Sequence, residues 1–204
     1  MSLQNRVQPT GEIIATAERG TLMGNRGILH DDRQRLTGRR WQHPHWVTCV
    51  LRYKDWHRAV MQPRNYTELF FLDESTAMAA GHRPCGLCRR ADFTRFKALF
   101  NAANGTATLA QIDRRMHRDR IAQPRGQRRY AARCDTLPDG AFVLHDNAAH
   151  LVWQDHLLRY TPAGYTAPLP RPDSTVTILT PAATVATFAQ GYRPEPHPTA
   201  LTQA

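Results

Sequence analysis

The sequence predicts an α+β fold arranged in three successive parts. Short runs of β-branched and aromatic residues, bounded by turn residues and too short for helices, recur near both ends of the chain. Between them lie two stretches with apolar residues at three- and four-residue spacing, the period of a helix buried on one side. The third observation is a step in charge. The 204 residues carry a net charge of +10, yet from Cys134 onward six acids outnumber three arginines, so the positive excess lies wholly before that point. These features divide the chain into an N-terminal domain over 1–105, a basic helix and loop over 106–133, and a small β-rich unit over 134–204.

Residues 1–10 are polar and are expected to fray. Residues 12–17 alternate around Ile13 and Ile14 and read as a strand. Residues 20–27 read as a strand entering a turn, where Asn25 and Gly27 tolerate positive φ. Backbone N–H groups of such a turn can face an anion, though an ordinary hairpin turn has the same composition, and no Gly-Lys-Ser/Thr follows to make a nucleotide phosphate loop. His30, Asp31 and Asp32 come next, then Arg33, Arg35, Arg39 and Arg40 ahead of Trp41. Residues 46–53 and 68–72 are strands. Asp73 caps a short helix over 74–80 that Gly81 ends. Residues 90–101 form a helix whose Phe93, Phe96, Leu99 and Phe100 share a buried side. A break at 101–105 precedes a helix over 108–122 with Leu109, Ile112, Met116 and Ile121 turned inward. In the last part, strands are expected within 137–144 and over 149–153, 157–160 and 175–179. A Pro-rich loop spans 164–172, a helix 181–189, and an extended end 191–198.

Chemistry concentrates on Cys85-Gly-Leu-Cys88. Two thiols at this spacing can point at one cation from a single turn, with Gly86 letting the backbone curl and Arg83, Arg89 and Arg90 favouring thiolate. The pair is half of a tetrahedral site. The other half is expected from His45 and Cys49, four apart, which a helix or tight turn brings to one side. The expectation is a closed site of His45, Cys49, Cys85 and Cys88 holding zinc, with His43 and His57 as rivals for the imidazole position. Two disulfides are the competing use of four cysteines. The C-x-x-C spacing and the remoteness of Cys134 argue against them, and Cys134 reads as a plain buried or half-buried thiol.

The stretch 65–90, NYTELFFLDESTAMAAGHRPCGLCRR, resembles the metal-binding domain of the Ada family of DNA methyl-phosphotriester repair proteins. It is similar also to the Ada-like zinc modules of some bacterial nucleases. Phe70, Phe71, Ala77, Ala79, Ala80, Gly81, Arg83, Pro84, Cys85, Cys88 and Arg89 match the family pattern, and the likeness covers about residues 41–100. It implies a small zinc-stabilised α/β domain that works near DNA, in repair or processing. One position departs: His45 stands where the repair proteins carry the methyl-accepting cysteine. Imidazole is a poor substitute for a zinc-activated thiolate, so the likeness implies a structural zinc, as in the nuclease modules, rather than self-methylation.

The basic charge is almost all arginine, with Lys54 and Lys97 the only lysines. A GC-rich genome explains arginine over lysine but not why the charge stops at Cys134. Guanidinium groups recognise phosphate in two-pronged fashion, so nucleic acid, DNA in particular, is the expected partner. The expected contacts are Arg39, Arg40, Arg83, Arg89, Arg90, Arg115, Arg118, Arg125, Arg128 and Arg129. An alternative is a metal-dependent nuclease or other nucleic-acid-modifying enzyme using His30, Asp31, Asp113 or His117. A protein-interaction module is a third reading. No apolar run approaches the roughly 20 residues of a membrane span and no secretory signal is visible, so a cytoplasmic, reducing location is expected.

Overall fold

The structure, a computed structural model, describes residues 2–56, 59–122 and 126–202. Its two six-stranded sheets and intervening helices make it an α+β protein. The first sheet holds β1 (Gln4–Val7), β2 (Ile13–Ala15), β3 (Leu22–Asn25), β4 (Val47–Val50), β5 (Leu69–Phe71) and β6 (Arg83–Pro84), in the spatial order β2-β1-β5-β3-β4-β6. Helices α1 (Glu74–Ala79), α2 (Arg90–Asn104) and α3 (Leu109–Arg120) follow, then a small hairpin of β7 (Ile121–Ala122) and β8 (Gly126–Gln127). The second sheet contains β9 (Tyr130–Arg133), β10 (Phe142–His145), β11 (Ala148–Trp153), β12 (His156–Thr161), β13 (Gly164–Pro170) and β14 (Thr175–Ile178), ordered β13-β12-β11-β10-β14-β9. Helices α4 (Ala182–Ala189) and α5 (Pro198–Leu201) close the chain. Among the described residues no helix is long and apolar enough to cross a membrane.

The helices start and stop where local chemistry dictates. Asp73 accepts from the Thr76 amide at 2.8 Å to cap α1. Thr108 and Gln111 form a reciprocal capping box on α3, satisfying amides that the helix itself leaves unpaired. Helix α2 runs three residues past the expected end, to Gly105 in the left-handed conformation at φ 61°.

Three expectations are corrected. Residues 4–7 do not fray: β1 lies between β2 and β5, pairing antiparallel with the first and parallel with the second. Its sequence looks polar because only Asn5 and Val7 face inward. The Pro-rich stretch is not a loop but the edge strand β13, where proline's missing donor costs no ladder bond on the open side. The expected break at Cys134 is not a structural boundary, since β9 pairs with β14 across it.

Nor do the two halves have separate interiors. Met78, Phe96, Phe100, Ile112 and Met116 pack with Ala183, Phe188 and Tyr192 of the C-terminal part. Leu72 and Ala79 pack with Phe142, Leu151, Leu158 and Tyr165. Polar groups join the same seam. The second oxygen of Asp73 accepts from the Tyr165 hydroxyl at 2.6 Å and the His197 amide at 2.8 Å. Glu74 accepts from Tyr192 at 2.8 Å, from Arg89 at 2.7 Å and from the Glu195 amide at 3.0 Å. Tyr165→Phe is expected to cost about 2 kcal/mol, the value of a buried hydrogen bond to a charged acceptor, measured by urea denaturation. A loss below about 0.5 kcal/mol would show that water replaces the hydroxyl.

Candidate metal centre and its basic surroundings

Strand β4 lies parallel to β6, with Thr48 opposite Pro84, and the Cys85 amide donates to Thr48 O at 2.8 Å. This register brings Cys49 beside Cys85, and the turn into α2 returns Cys88 to the same place. The three sulfurs lie within 4.8 Å of one another and none is in a disulfide. Tetrahedral zinc–thiolate bonds of about 2.3 Å place sulfurs about 3.8 Å apart, so the cluster fits such an ion with little adjustment.

The electrostatics suit a cation as well. Cys85 is drawn down to about 4, first by the S–H of Cys49 and also by the Cys88 and Leu87 amides, against the opposing effect of burial. Cys49 is pushed up because its proton is held between the sulfurs and because it is buried. Burial raises Cys88. Cys85 is thus biased toward thiolate, and a cation would displace the remaining protons.

His45 does not join the sulfurs; it is bound elsewhere. Its Nδ1 donates to Asp113 Oδ2 at 2.7 Å, and among the described residues no fourth His, Cys, Asp or Glu completes the group. The reason is local conformation. Cys49 lies in an extended strand, where four residues span about 13 Å rather than one helical turn. The rival His57 lies outside the described residues.

Asp113 is the organiser of this neighbourhood. Its carboxylate is buried and holds Arg83 in two-pronged fashion, from Nε at 2.6 Å and Nη2 at 2.9 Å, besides His45. Arg83 is therefore not a phosphate contact. Arg89 is not one either: it is buried on Glu74, Asp92 and the Thr48 hydroxyl. Both arginines were expected to contact phosphate as part of the basic N-terminal charge. Instead they anchor the cysteine-bearing turn to α3 and α1.

The other expected contacts divide. Arg39, Arg40, Arg90, Arg118, Arg128 and Arg129 are exposed. Arg115 pairs with Asp119 at 2.9 Å, and Arg125 lies outside the described residues. Of the candidate catalytic groups, His30 is buried between the Thr67 hydroxyl at 2.6 Å and Gln62 O at 3.2 Å. Asp31 accepts the Arg33 and Arg35 amides, each at 2.9 Å, and closes a turn. Both are structural. His117 lies near His45 and accepts from Arg120 Nη2 at 2.9 Å. Burial, then Arg120 and His45, lowers it to about 4.

The sequence reading missed a cluster behind the exposed arginines. The guanidinium carbons of Arg26 and Arg120 stand 4.2 and 3.5 Å from the Trp46 ring centroid. Both guanidiniums thus lie in cation–π contact with the same indole. His82 is wholly buried beside them, and burial with Arg26 and Arg120 holds it well below its ordinary value, in the neutral form. Gly81, at φ 85°, is required here: any Cβ would run into the Arg120 side chain. Only the inward spacing of Asp113, Met116 and Arg120 along α3 could have signalled this cluster.

Comparison with protein-family models, with curated proteins and with solved structures finds no match to this chain.

Proposed function

We propose that the protein binds nucleic acid, DNA in the first instance, on an arginine-bearing surface supported by a zinc-stabilised, Ada-like N-terminal half. Cys49, Cys85 and Cys88 would hold the zinc, with water or a group outside the described residues as fourth ligand. The ion would lock β4 to the start of α2 and take no part in chemistry.

The observation that carries the reading is a convergence. Arg40, from the loop before β4, and Arg129, just after the β7–β8 hairpin, line one cavity although they are far apart in sequence. A solvated loop has no reason to meet a second basic segment, since like charges repel unless an anion lies between them.

Salt dependence tests this directly. Four neutralised phosphates give a slope of about −3.6 in log affinity against log salt. Duplex DNA is therefore expected to bind roughly 100-fold more weakly at 200 mM than at 50 mM salt by fluorescence anisotropy. Arg128→Ala should flatten the slope by about 1. Binding indifferent to salt would defeat the proposal.

A second reading is favoured by one contact. His45 is fixed by a buried carboxylate while its side chain remains 58% exposed, the arrangement of a general base with its orienting partner. If the protein cleaves nucleic acid, His45→Ala should abolish nicking of plasmid DNA with magnesium and leave DNA binding unchanged.

A further inference from the structure

The Arg26–Trp46–Arg120 stack lines the same cavity as Arg40 and Arg129, with a volume of about 450 Å³. Arg26 and Arg120 are each 3% exposed. Among the described residues no carboxylate lies within ion-pair distance of either. Asp113 is committed to Arg83 and His45. Among the described residues of the lining the only acid is Glu12, which is exposed.

The hydrogen-bond partners that Arg26 and Arg120 do have are neutral. Arg120 donates to Gly81 O at 2.5 Å, Pro44 O at 2.7 Å and His117. Arg26 donates to His82 Nε2 at 3.4 Å. Each also keeps a buried nitrogen without a hydrogen-bond partner, Nη2 of Arg26 and Nε of Arg120, and the buried Thr10 hydroxyl in the same lining is unpartnered too.

Two buried cations with no carboxylate in contact, Asp113 acting on Arg120 only from beyond ion-pair distance, are costly, because the protein interior replaces little of their lost hydration. The indole offsets only part of this through cation–π attraction, which is weaker than the hydration lost on burial. Burial and Arg40 draw the Arg26 guanidinium down to about 9, as expected of a cation surrounded by like charge. A small, doubly charged anion able to enter the concavity would balance both guanidiniums.

We propose that this cavity is a phosphomonoester site, with Arg26 and Arg120 at its base, Arg40 and Arg129 at its mouth and the Thr10 hydroxyl as a further donor. The proposal rests on the nucleic-acid reading and narrows it, since a duplex backbone cannot descend into a pocket, whereas a terminal phosphate can. The site is distinct from the cysteine cluster. Four guanidiniums favour a dianion over a carboxylate, and a volume of about 450 Å³ leaves room for a nucleoside behind the phosphate.

Full-length protein should be titrated with inorganic phosphate, a nucleoside 5′-monophosphate and acetate, following tryptophan fluorescence and Tm. Single strands bearing a 5′-phosphate or a 5′-hydroxyl complete the set. Phosphate and the monophosphate should raise Tm by several degrees and change the fluorescence, while acetate does neither. The 5′-phosphorylated strand should bind at least tenfold more tightly than its hydroxyl twin. Arg26→Gln should abolish these responses. Arg40→Gln with Arg129→Gln, both exposed and remote from the core, should weaken them about tenfold without altering the basal Tm, which guards against misfolding of the buried variant. Response to inorganic phosphate and the monophosphate without a preference between strands would keep the site and reject nucleic acid as its carrier. Equal response to acetate, or no response to any phosphate, would overturn the proposal.

Discussion

Replacing Cys85 by serine is expected to lower the melting temperature by roughly 10 °C in zinc-containing buffer. A ligand present at 1,000 times its Kd stabilises the folded state by about 4 kcal/mol, and 1 kcal/mol corresponds to about 2–4 °C for a domain of this size. Cys85 is the natural place to break the site. It is the sulfur already biased toward thiolate, and its amide joins β6 to β4. Serine preserves that amide and the side-chain volume, so the loss reports on the ion rather than on backbone pairing. Stripping the wild type with a chelator should reproduce the drop and should leave the variant's curve unmoved. Total loss of fold is not expected, because the chain has a large apolar interior independent of the sulfurs, unlike a zinc finger that depends on its ion outright. A melting curve unchanged by both chelator and Cys85→Ser would remove zinc from the account of this protein.

The C-x-x-C pair was legible because its chemistry is local: two thiols in one turn need no knowledge of the rest of the chain. Cys49 could be chosen as well, since few other thiols were available. His45 misled because a four-residue interval converges only in a helix, and the Trp-Val-Thr-Cys run that leads from it to Cys49 is itself β-forming. Aromatic and β-branched runs such as Leu69–Phe71, and the phenylalanine face of α2, reported their own burial. What the sequence concealed was the cost of burying charge. Arg83, Arg89 and Arg120 look like any surface arginine on a basic chain, and only the fold decides which of them meets a carboxylate. Asp73 illustrates the same limit. Its role as a helix cap follows from its position, whereas its bonds to Tyr165 and His197 join residues about a hundred positions apart. Strand β13 was hidden for a different reason: proline argues against a strand unless the strand is known to lie at an edge.

Asp113→Ala is expected to cost about 3–5 kcal/mol, the penalty for leaving a buried ion without its partner. Both side chains are nearly inaccessible, Asp113 at 3% and Arg83 at 6%. Once the carboxylate is gone, Arg83 keeps only a long contact to Pro84 O at 3.3 Å and the face of Phe93. The Cys85 turn begins two residues later, so the lost anchor should also loosen the sulfur cluster. Weaker zinc retention in Asp113→Ala than in wild type, read by competition with a chromogenic chelator, would reveal that coupling. Arg83→Met combined with Asp113→Leu removes both charges and should recover part of the stability, since an apolar pair of similar size carries no desolvation penalty. Recovery of stability without recovery of zinc retention would assign the ion pair to positioning the metal site. Full recovery of both would mean that the pair serves the fold alone. A cost below about 1 kcal/mol for Asp113→Ala would instead mean that Arg83 reaches water and that the pair is not a buried one in solution.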